Sequence, residues 1–148
     1  RPAPIHGELK VAVFGQVLWL RVCGPTNVEF AAMMEQRVIE VATPISGQPW
    51  IGVNDVLEWD LGGPDTVTAM KPLMHWVEAN NRSHSINIFP GCVMHEISIK
   101  EMMKGVERQS ERLVVHSVAA AIEKVRKLQP EFEPTAMLET IYGNKRAT

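Results

Sequence analysis

Four carboxylates lie close together in one stretch of the chain, at Asp55, Glu58, Asp60 and Asp65. Paired carboxylates can exchange protons as general acid and base, and carboxylate oxygens can also hold a cation. The same stretch contains two glycines and a proline, as exposed loops often do. The simpler interpretation is therefore a solvated acidic loop, and catalysis by these carboxylates is the alternative.

Cys92 is the residue whose predicted position best suits a nucleophile. It follows Pro90-Gly91 and precedes a predicted helix, and a helix N-terminus favours the thiolate. The chain has only one other cysteine, Cys23, so there is no disulfide framework. The simpler interpretation is two reduced, buried thiols. An enzyme that uses Cys92 or the acidic loop is kept as a third reading of the function.

No sequence motif predicts a metal or cofactor site. His95-Glu96 resembles the start of a zinc-protease helix, but Ile99 stands where the second histidine is required. No glycine-rich phosphate loop and no nucleophile elbow is present in the sequence. We therefore expect no bound metal and no cofactor.

Composition narrows the class of protein. The chain has 148 residues, of which 45% are hydrophobic and 22% charged, which predicts one globular domain. A net charge of -2 argues against a nucleic-acid partner. No apolar run reaches the roughly 18 residues that a membrane span needs, and residues 1–7 lack the apolar core of a secretory signal. These features favour a cytoplasmic protein.

Strands and helices alternate along the first half of the chain. Residues 9–23 predict an antiparallel hairpin with a short turn at Gly15-Gln16. Thr26 to Glu29 has the form of a capping box, which predicts a first helix. Trp50 to Val53 is a continuous apolar run, as in a strand that is covered on both faces, and it stops at a polar pair that begins a loop. A second helix follows from Pro64, and Pro72 predicts a kink or a new start within it.

The second half repeats this alternation. We predict strands over 85–89 and 112–116, a helix over 93–104 with Met94, Ile97 and Met102 facing inward, and a helix over 118–128. The order β-β-α-β-α-β-α-β-α predicts an α/β fold with a five-stranded mixed sheet and about four helices. We expect an N-terminal extension over 1–7, a domain over 8–130, and a tail over 131–148 whose apolar residues form a short docking helix.

The element order resembles the STAS superfamily, and more closely its SpoIIAA-like branch. The resemblance rests on residues 15–27, on Gly47 to Trp50 leading to Trp59, and on residues 112–122. It implies a domain that acts by binding, like the anti-sigma factor antagonists. These dock a partner around the second helix and are switched by phosphorylation of a Ser or Thr at its N-terminus. In the matching window, 60–63, Leu61 and Gly62 stand where the hydroxyls are expected.

We therefore predict a non-enzymatic regulatory or scaffolding domain that binds a protein partner. The predicted binding residues are Trp59, Asp60, Asp65, Thr66 and Met70, with the two aspartates giving the surface a fixed negative charge. The alternative is a binding protein for a small apolar ligand such as a lipid, since many Met and Leu side chains could line a pocket. The opening hairpin also predicts a free sheet edge, through which two copies could pair as a homodimer.

Overall fold

A computed structural model of the protein describes residues 3–143. It contains one five-stranded sheet, with strands β1 (Glu8–Phe14), β2 (Val17–Gly24), β3 (Trp50–Trp59), β4 (Arg82–Ile88) and β5 (Glu111–Val115). The helices are α1 (Val28–Ala42), α2 (Pro64–Ala69), α3 (Lys71–Ala79), α4 (Val93–Met103), α5 (Val118–Leu128) and α6 (Pro134–Tyr142). A 3-10 turn, Thr43–Ile45, follows α1.

The sheet has the mixed topology that the element order predicts. Its strands lie in the order β1-β2-β3-β4-β5, with β1 antiparallel to β2 and the remaining pairs parallel. Gly15 has a φ of 62°, which allows the two-residue turn between β1 and β2. The predicted strand Trp50 to Val53 lies in β3, at the centre of the sheet. The fold class is therefore confirmed, although the helices outnumber the four expected.

Two apolar layers cover the two faces of the sheet. The first layer contains α1 and α3, with Phe30 and Leu73 fully buried against Leu18. The second contains α5 and α6, with Val125 and Met137 fully buried. Because successive strand residues point to opposite faces, β3 supplies Trp50 and Val56 to the first layer and Ile51 and Val53 to the second.

The second predicted helix is two helices. α2 ends at Ala69 and α3 begins at Lys71, with Pro72 in its first turn. Proline is tolerated there because the N–H groups of a first helical turn have no partner within the helix. The predicted break at Pro72 is thus confirmed, and it turns the chain from the end of β3 towards the start of β4.

The first helix begins one residue later than the capping-box prediction required. Asn27 is the N-cap, and its side-chain oxygen accepts a hydrogen bond from the Phe30 N–H at 3.0 Å. Thr26 is 7% exposed and turns towards β3, where its hydroxyl accepts a hydrogen bond from the Trp59 indole N–H at 3.0 Å. The segment before α1 therefore fixes the end of β3.

Residues beyond 130 contribute to the second apolar layer. Phe132, Met137 and Ile141 are buried there, and α6 contacts β1 and β2. The Tyr142 hydroxyl accepts a hydrogen bond from the Trp19 indole at 3.1 Å and donates one to the Asp55 carboxylate. No helix within residues 3–143 has the length and apolarity that crossing a membrane requires.

Candidate functional site

Trp59 is part of the interior, not of an exposed loop. β3 continues past the polar pair Asn54-Asp55 to Trp59, which is 3% exposed, so the predicted loop from residue 54 is wrong. The Trp59 carbonyl accepts a hydrogen bond from Nε2 of His95 on α4. The two rings also meet edge to face, with 5.6 Å between centroids. Trp59 therefore cannot contact a partner unless the fold opens, and its role is to join β3 to α4.

The segment between β3 and α2 is held against the segment before α1. The Asp60 N–H donates to the Gly24 carbonyl at 3.1 Å, and the Thr26 N–H donates to the Leu61 carbonyl at 3.1 Å. Gly62 lies so close to this segment that a Cβ atom would be 2.8 Å from the Thr26 carbonyl oxygen. A side chain at position 62 would therefore force the two segments apart.

The five predicted binding residues divide between interior and surface. Thr66 is 2% exposed and Met70 is 3% exposed, so these two, like Trp59, are corrected to interior positions. Their burial follows from α2 being a short helix packed between α1 and α4. Asp60 and Asp65 are exposed, and they lie on either side of the α2 N-terminus. Of the five predicted binding residues, Asp60 and Asp65 are therefore the two whose side chains are exposed to a partner.

An apolar patch lies on the exposed side of α4, a helix that packs against α2, and the sequence prediction did not include it. Val93 is 64% exposed, Met94 53% and Ile97 46%. The expectation that Met94 and Ile97 face inward is wrong, whereas Met102, at 3% exposed, does face inward. α4 contacts α2, and its His95 is bonded to the residue that precedes Asp60. The feature of the sequence that indicates this exposure is that the apolar residues of α4 do not form a single stripe.

The acidic residues do not converge on one site. Asp55 is 2% exposed and bonds to Tyr142 on the α6 side of the sheet, and it also accepts the Leu57 N–H at 3.0 Å. Glu58 forms an ion pair with Arg21 at the surface. Asp55 and Glu58 both lie near enough to Arg21 to raise its pKa, but within residues 3–143 no three of these carboxylates gather where they could hold a metal ion.

The two thiols lie in different environments. Cys92 is exposed at the N-cap of α4, so the expectation that both cysteines are buried is wrong. Cys23 is half-buried, and burial raises the pKa of its thiol, although the Arg21 charge opposes the shift. Between Ala3 and Gly143, no group of three or more His, Cys, Asp or Glu side chains is placed to hold a metal ion.

No protein-family model and no curated protein sequence matches the chain. Solved structures do match it. An uncharacterised protein of the DUF3478 family from Shewanella loihica PV-4, with a SpoIIAA-like fold, matches with a TM-score of 0.61 at 12% identity, over 84% of this chain and 98% of the other. The chain has the SpoIIAA-like fold. The resemblance predicted from the sequence is confirmed at the level of the fold.

Two other SpoIIAA-like structures that match are regulators. One is the unphosphorylated form of the anti-sigma factor antagonist SpoIIAA, with a TM-score of 0.56 at 12% identity over 81% of this chain and 97% of the other. The second is an anti-sigma factor antagonist from Mycobacterium paratuberculosis, with a TM-score of 0.55 at 15% identity over 84% of this chain and 97% of the other. The SpoIIAA-like fold thus occurs in regulatory domains.

Proposed function

We propose that the protein is a non-enzymatic regulatory domain that docks a protein partner through the surface around α2 and α4. The observation that carries this proposal is the exposure of Val93, Met94 and Ile97 on α4. Large exposed apolar side chains that adjoin each other commonly mark a protein-interaction site. We call Asp60, Asp65 and these three residues the α4 face.

The chemistry of the α4 face indicates the kind of partner. Its α4 residues are apolar, and Asp60 and Asp65, near the N-terminus of the neighbouring α2, add exposed carboxylates. A complementary surface would present apolar side chains flanked by lysine or arginine. In such an interface the apolar centre supplies most of the affinity, while charges at the edge mainly raise the association rate.

The α4 face carries a fixed charge in place of a phosphorylation switch. The window that corresponds to the phosphorylated segment of anti-sigma factor antagonists is residues 60–63, and it contains no hydroxyl. The close contact of Gly62 with Thr26 leaves no room for a serine or threonine there. The nearest downstream hydroxyl, that of Thr66, is buried. The window therefore offers no hydroxyl for such a switch, and the next exposed hydroxyl along the chain is that of Thr68 on α2.

A charge inserted into the apolar centre tests the proposal. The variant carrying Met94→Glu and Ile97→Glu should lose partner binding while keeping the stability of the wild type, because both side chains are already exposed. Leu128→Glu is the matched control, since Leu128 is a 40% exposed apolar residue on α5, a helix of the second apolar layer. Partners recovered by the wild type and by the control, but not by the double variant, should be identified by mass spectrometry and expressed for calorimetry.

The expected loss of affinity in calorimetry is at least tenfold, because two central contacts that each cost about 1 kcal/mol or more together exceed the roughly 1.4 kcal/mol that corresponds to a factor of ten. Neutralising Asp60 and Asp65 as asparagines should slow association and weaken its dependence on salt. A double variant that binds every recovered partner as tightly as the wild type would show that the α4 face is not the docking surface.

A further inference from the structure

The interior contains a cavity between the sheet and the helices of the first layer. Its volume is about 80 Å³, and it lies beneath α3 and α4, on the face of the sheet opposite α5 and α6. Leu20, Val22 and Leu73 form part of an apolar wall. Exposed Arg108 and half-buried Met74 mark where the cavity approaches the surface. The residues of the α4 face do not line it.

The floor of the cavity is polar, which is unusual for the buried face of a sheet. Asn54 on β3 donates a hydrogen bond to the Asn87 side-chain oxygen on β4 at 3.1 Å, and Asn87 donates one to the Ser85 hydroxyl at 3.1 Å. These positions occupy the pleat where the neighbouring strand residues Leu20 and Val56 are apolar. The floor therefore presents hydrogen-bonding groups, already paired with one another, where an apolar surface would be expected.

Three arginines gather at one side of this floor. Arg82 is 6% exposed and bonds to Glu78 through Nη2 at 2.7 Å. Its Nε is buried and has no hydrogen-bond partner in the described part of the chain, and the same holds for Nε of Arg112 on β5. Arg108 is near enough to act on both charges. An unpaired N–H costs about 1–3 kcal/mol when buried, and more when the group is charged.

The electrostatic balance at the three arginines is positive. Burial lowers the pKa of Arg82 and of Arg112, and the neighbouring charge of Arg108 lowers both further. Glu78 opposes the shift at Arg82, and exposed Glu96 opposes it at Arg112. Of the charges that act on Arg82 and Arg112, the negative ones are Glu78 and the solvated, screened Glu96. A bound anion would relieve this repulsion and would accept the unpaired N–H groups.

Methionine side chains make up much of the apolar wall. Five of the eight methionines of the chain line the cavity, namely Met34, Met70, Met74, Met102 and Met103. Methionine is unbranched and repacks readily, which suits a site that changes its volume. A cavity of about 150 Å³ holds benzene, so one of 80 Å³ holds only part of a short alkyl chain unless these side chains move.

We propose that this cavity binds a small amphiphile, with its oxyanion head on Arg82, Arg108 and Arg112 and its short apolar chain among the methionines. Arginine suits the head because its fork of N–H donors matches the oxygens of a carboxylate or a phosphate. The site is separate from the α4 face, and it does not depend on the proposed protein partner.

Calorimetry with four probes tests the chemistry of the site. Octanoate and octyl phosphate carry the head and the chain, 1-octanol carries only the chain, and inorganic phosphate carries only a head. We expect the better of the two amphiphilic anions to bind at least tenfold more tightly than 1-octanol or phosphate, since one charge-assisted hydrogen bond is worth about 1.5–3 kcal/mol. Whichever of the two binds more tightly identifies the head group.

Arg112→Gln is the variant of choice, because removing Arg82 would leave Glu78 buried without its cation. It should weaken the preferred anion about tenfold and leave the affinity for 1-octanol unchanged. Arg126→Gln, at an exposed position on α5, is the matched control and should change neither. Equal loss of both probes, or no loss of the anion, would overturn the assignment of the head group.

Methyl NMR of labelled methionine locates the binding site. The methyl signals of the five methionines that line the cavity should shift on titration, while those of exposed Met94 and of Met137 in the second layer should not. Shifts confined to Met94 would place the ligand on the outside of the domain and overturn the proposal. The absence of saturable binding by either amphiphilic anion would do the same.

Discussion

Glu78→Gln removes a carboxylate that joins three parts of the first layer. Glu78 lies at the end of α3, is 4% exposed, and accepts hydrogen bonds from Arg82 on β4 and from the segment that precedes β5. The donors in that segment are the Ser110 hydroxyl, the Ser110 N–H at 2.9 Å and the Gln109 N–H at 2.7 Å. Every oxygen of Glu78 is therefore used, and glutamine reproduces neither the charge nor the full set of acceptors.

The size of the effect follows from the pKa of the carboxyl group. Burial alone would raise the pKa of Glu78, but hydrogen bonds from Ser110, Arg82 and Gln109 outweigh it and lower the pKa from 4.5 to about 2. At roughly 1.4 kcal/mol per unit, this shift corresponds to about 3 kcal/mol of stability at pH 7. Because the folded-state pKa lies below the unfolded one, this stability is present above pH 4.5 and is lost as the pH falls to 2.

Urea denaturation followed by circular dichroism measures the difference. Glu78→Gln should lower the free energy of unfolding by about 3 kcal/mol or more at pH 7, since the charge of Arg82 also loses its partner. At pH 3 the carboxylate contributes only about 1 kcal/mol, so the gap between the two proteins should narrow by about 2 kcal/mol.

Glu123→Gln provides a matched control for that measurement. Glu123 also faces a cation four residues later, Lys127, at 3.5 Å, but both side chains are more than half exposed. Its replacement should cost less than about 0.5 kcal/mol at either pH. The reasoning about Glu78 fails if its variant is no less stable than this control, or if its cost is the same at pH 7 and pH 3.

Two further perturbations test how α6 and the β3–α2 segment are held. Tyr142→Phe should cost about 1–3 kcal/mol in denaturation, because it leaves the buried Asp55 carboxylate without its O–H donor. Burial, and next the charge of Asp55, raise the pKa of Tyr142, which is the one tyrosine of the chain. Tyrosinate absorbance should therefore stay low above pH 10 until the protein unfolds, and the wild type should lose stability in that range. Ionisation near pH 10 without unfolding would contradict the buried contact. Gly62→Ala should destabilise by about 1–3 kcal/mol through its clash with the Thr26 backbone, whereas Gly63→Ala meets only the side-chain carboxylate of exposed Asp65, which can turn away, and should cost less than half as much.

The element order and the position of β3 could be predicted because both depend on local patterns. Gly15 marked the hairpin turn, and Pro72 marked the break between α2 and α3. The length of β3 could not be predicted in this way. Asn54 and Asp55 resemble a strand end, but their partners, Asn87 and Tyr142, lie far along the chain and meet them only after folding. Polar residues within a strand are tolerated when such partners exist.

The surface of α4 was wrongly predicted for a related reason. Val93, Met94 and Ile97 are apolar, as are Ile99 and Met102, so apolar residues surround the helix and periodicity does not select one side as buried. In the structure, the hydrogen bond from His95 to Trp59 fixes which side of α4 faces the interior. Trp59 itself was assigned to the surface because its burial depends on the same contact and on Thr26. The errors about Trp59 and about the exposed side of α4 therefore share one cause, whereas the burial of Thr66 and Met70 comes from the packing of α2 between α1 and α4.

α4 is the element that the two proposed sites have in common. Its exposed side carries Met94 and Ile97 of the α4 face, and its inner side supplies Met102 and Met103 to the cavity wall. A ligand that displaces the inner methionines would shift α4. The same shift would move the exposed residues of α4 that contact the partner. Thermodynamic linkage then requires that the ligand change the partner's affinity by the same factor as the partner changes the ligand's. If the helix does not move, the factor is one, and the domain contains two independent binding sites.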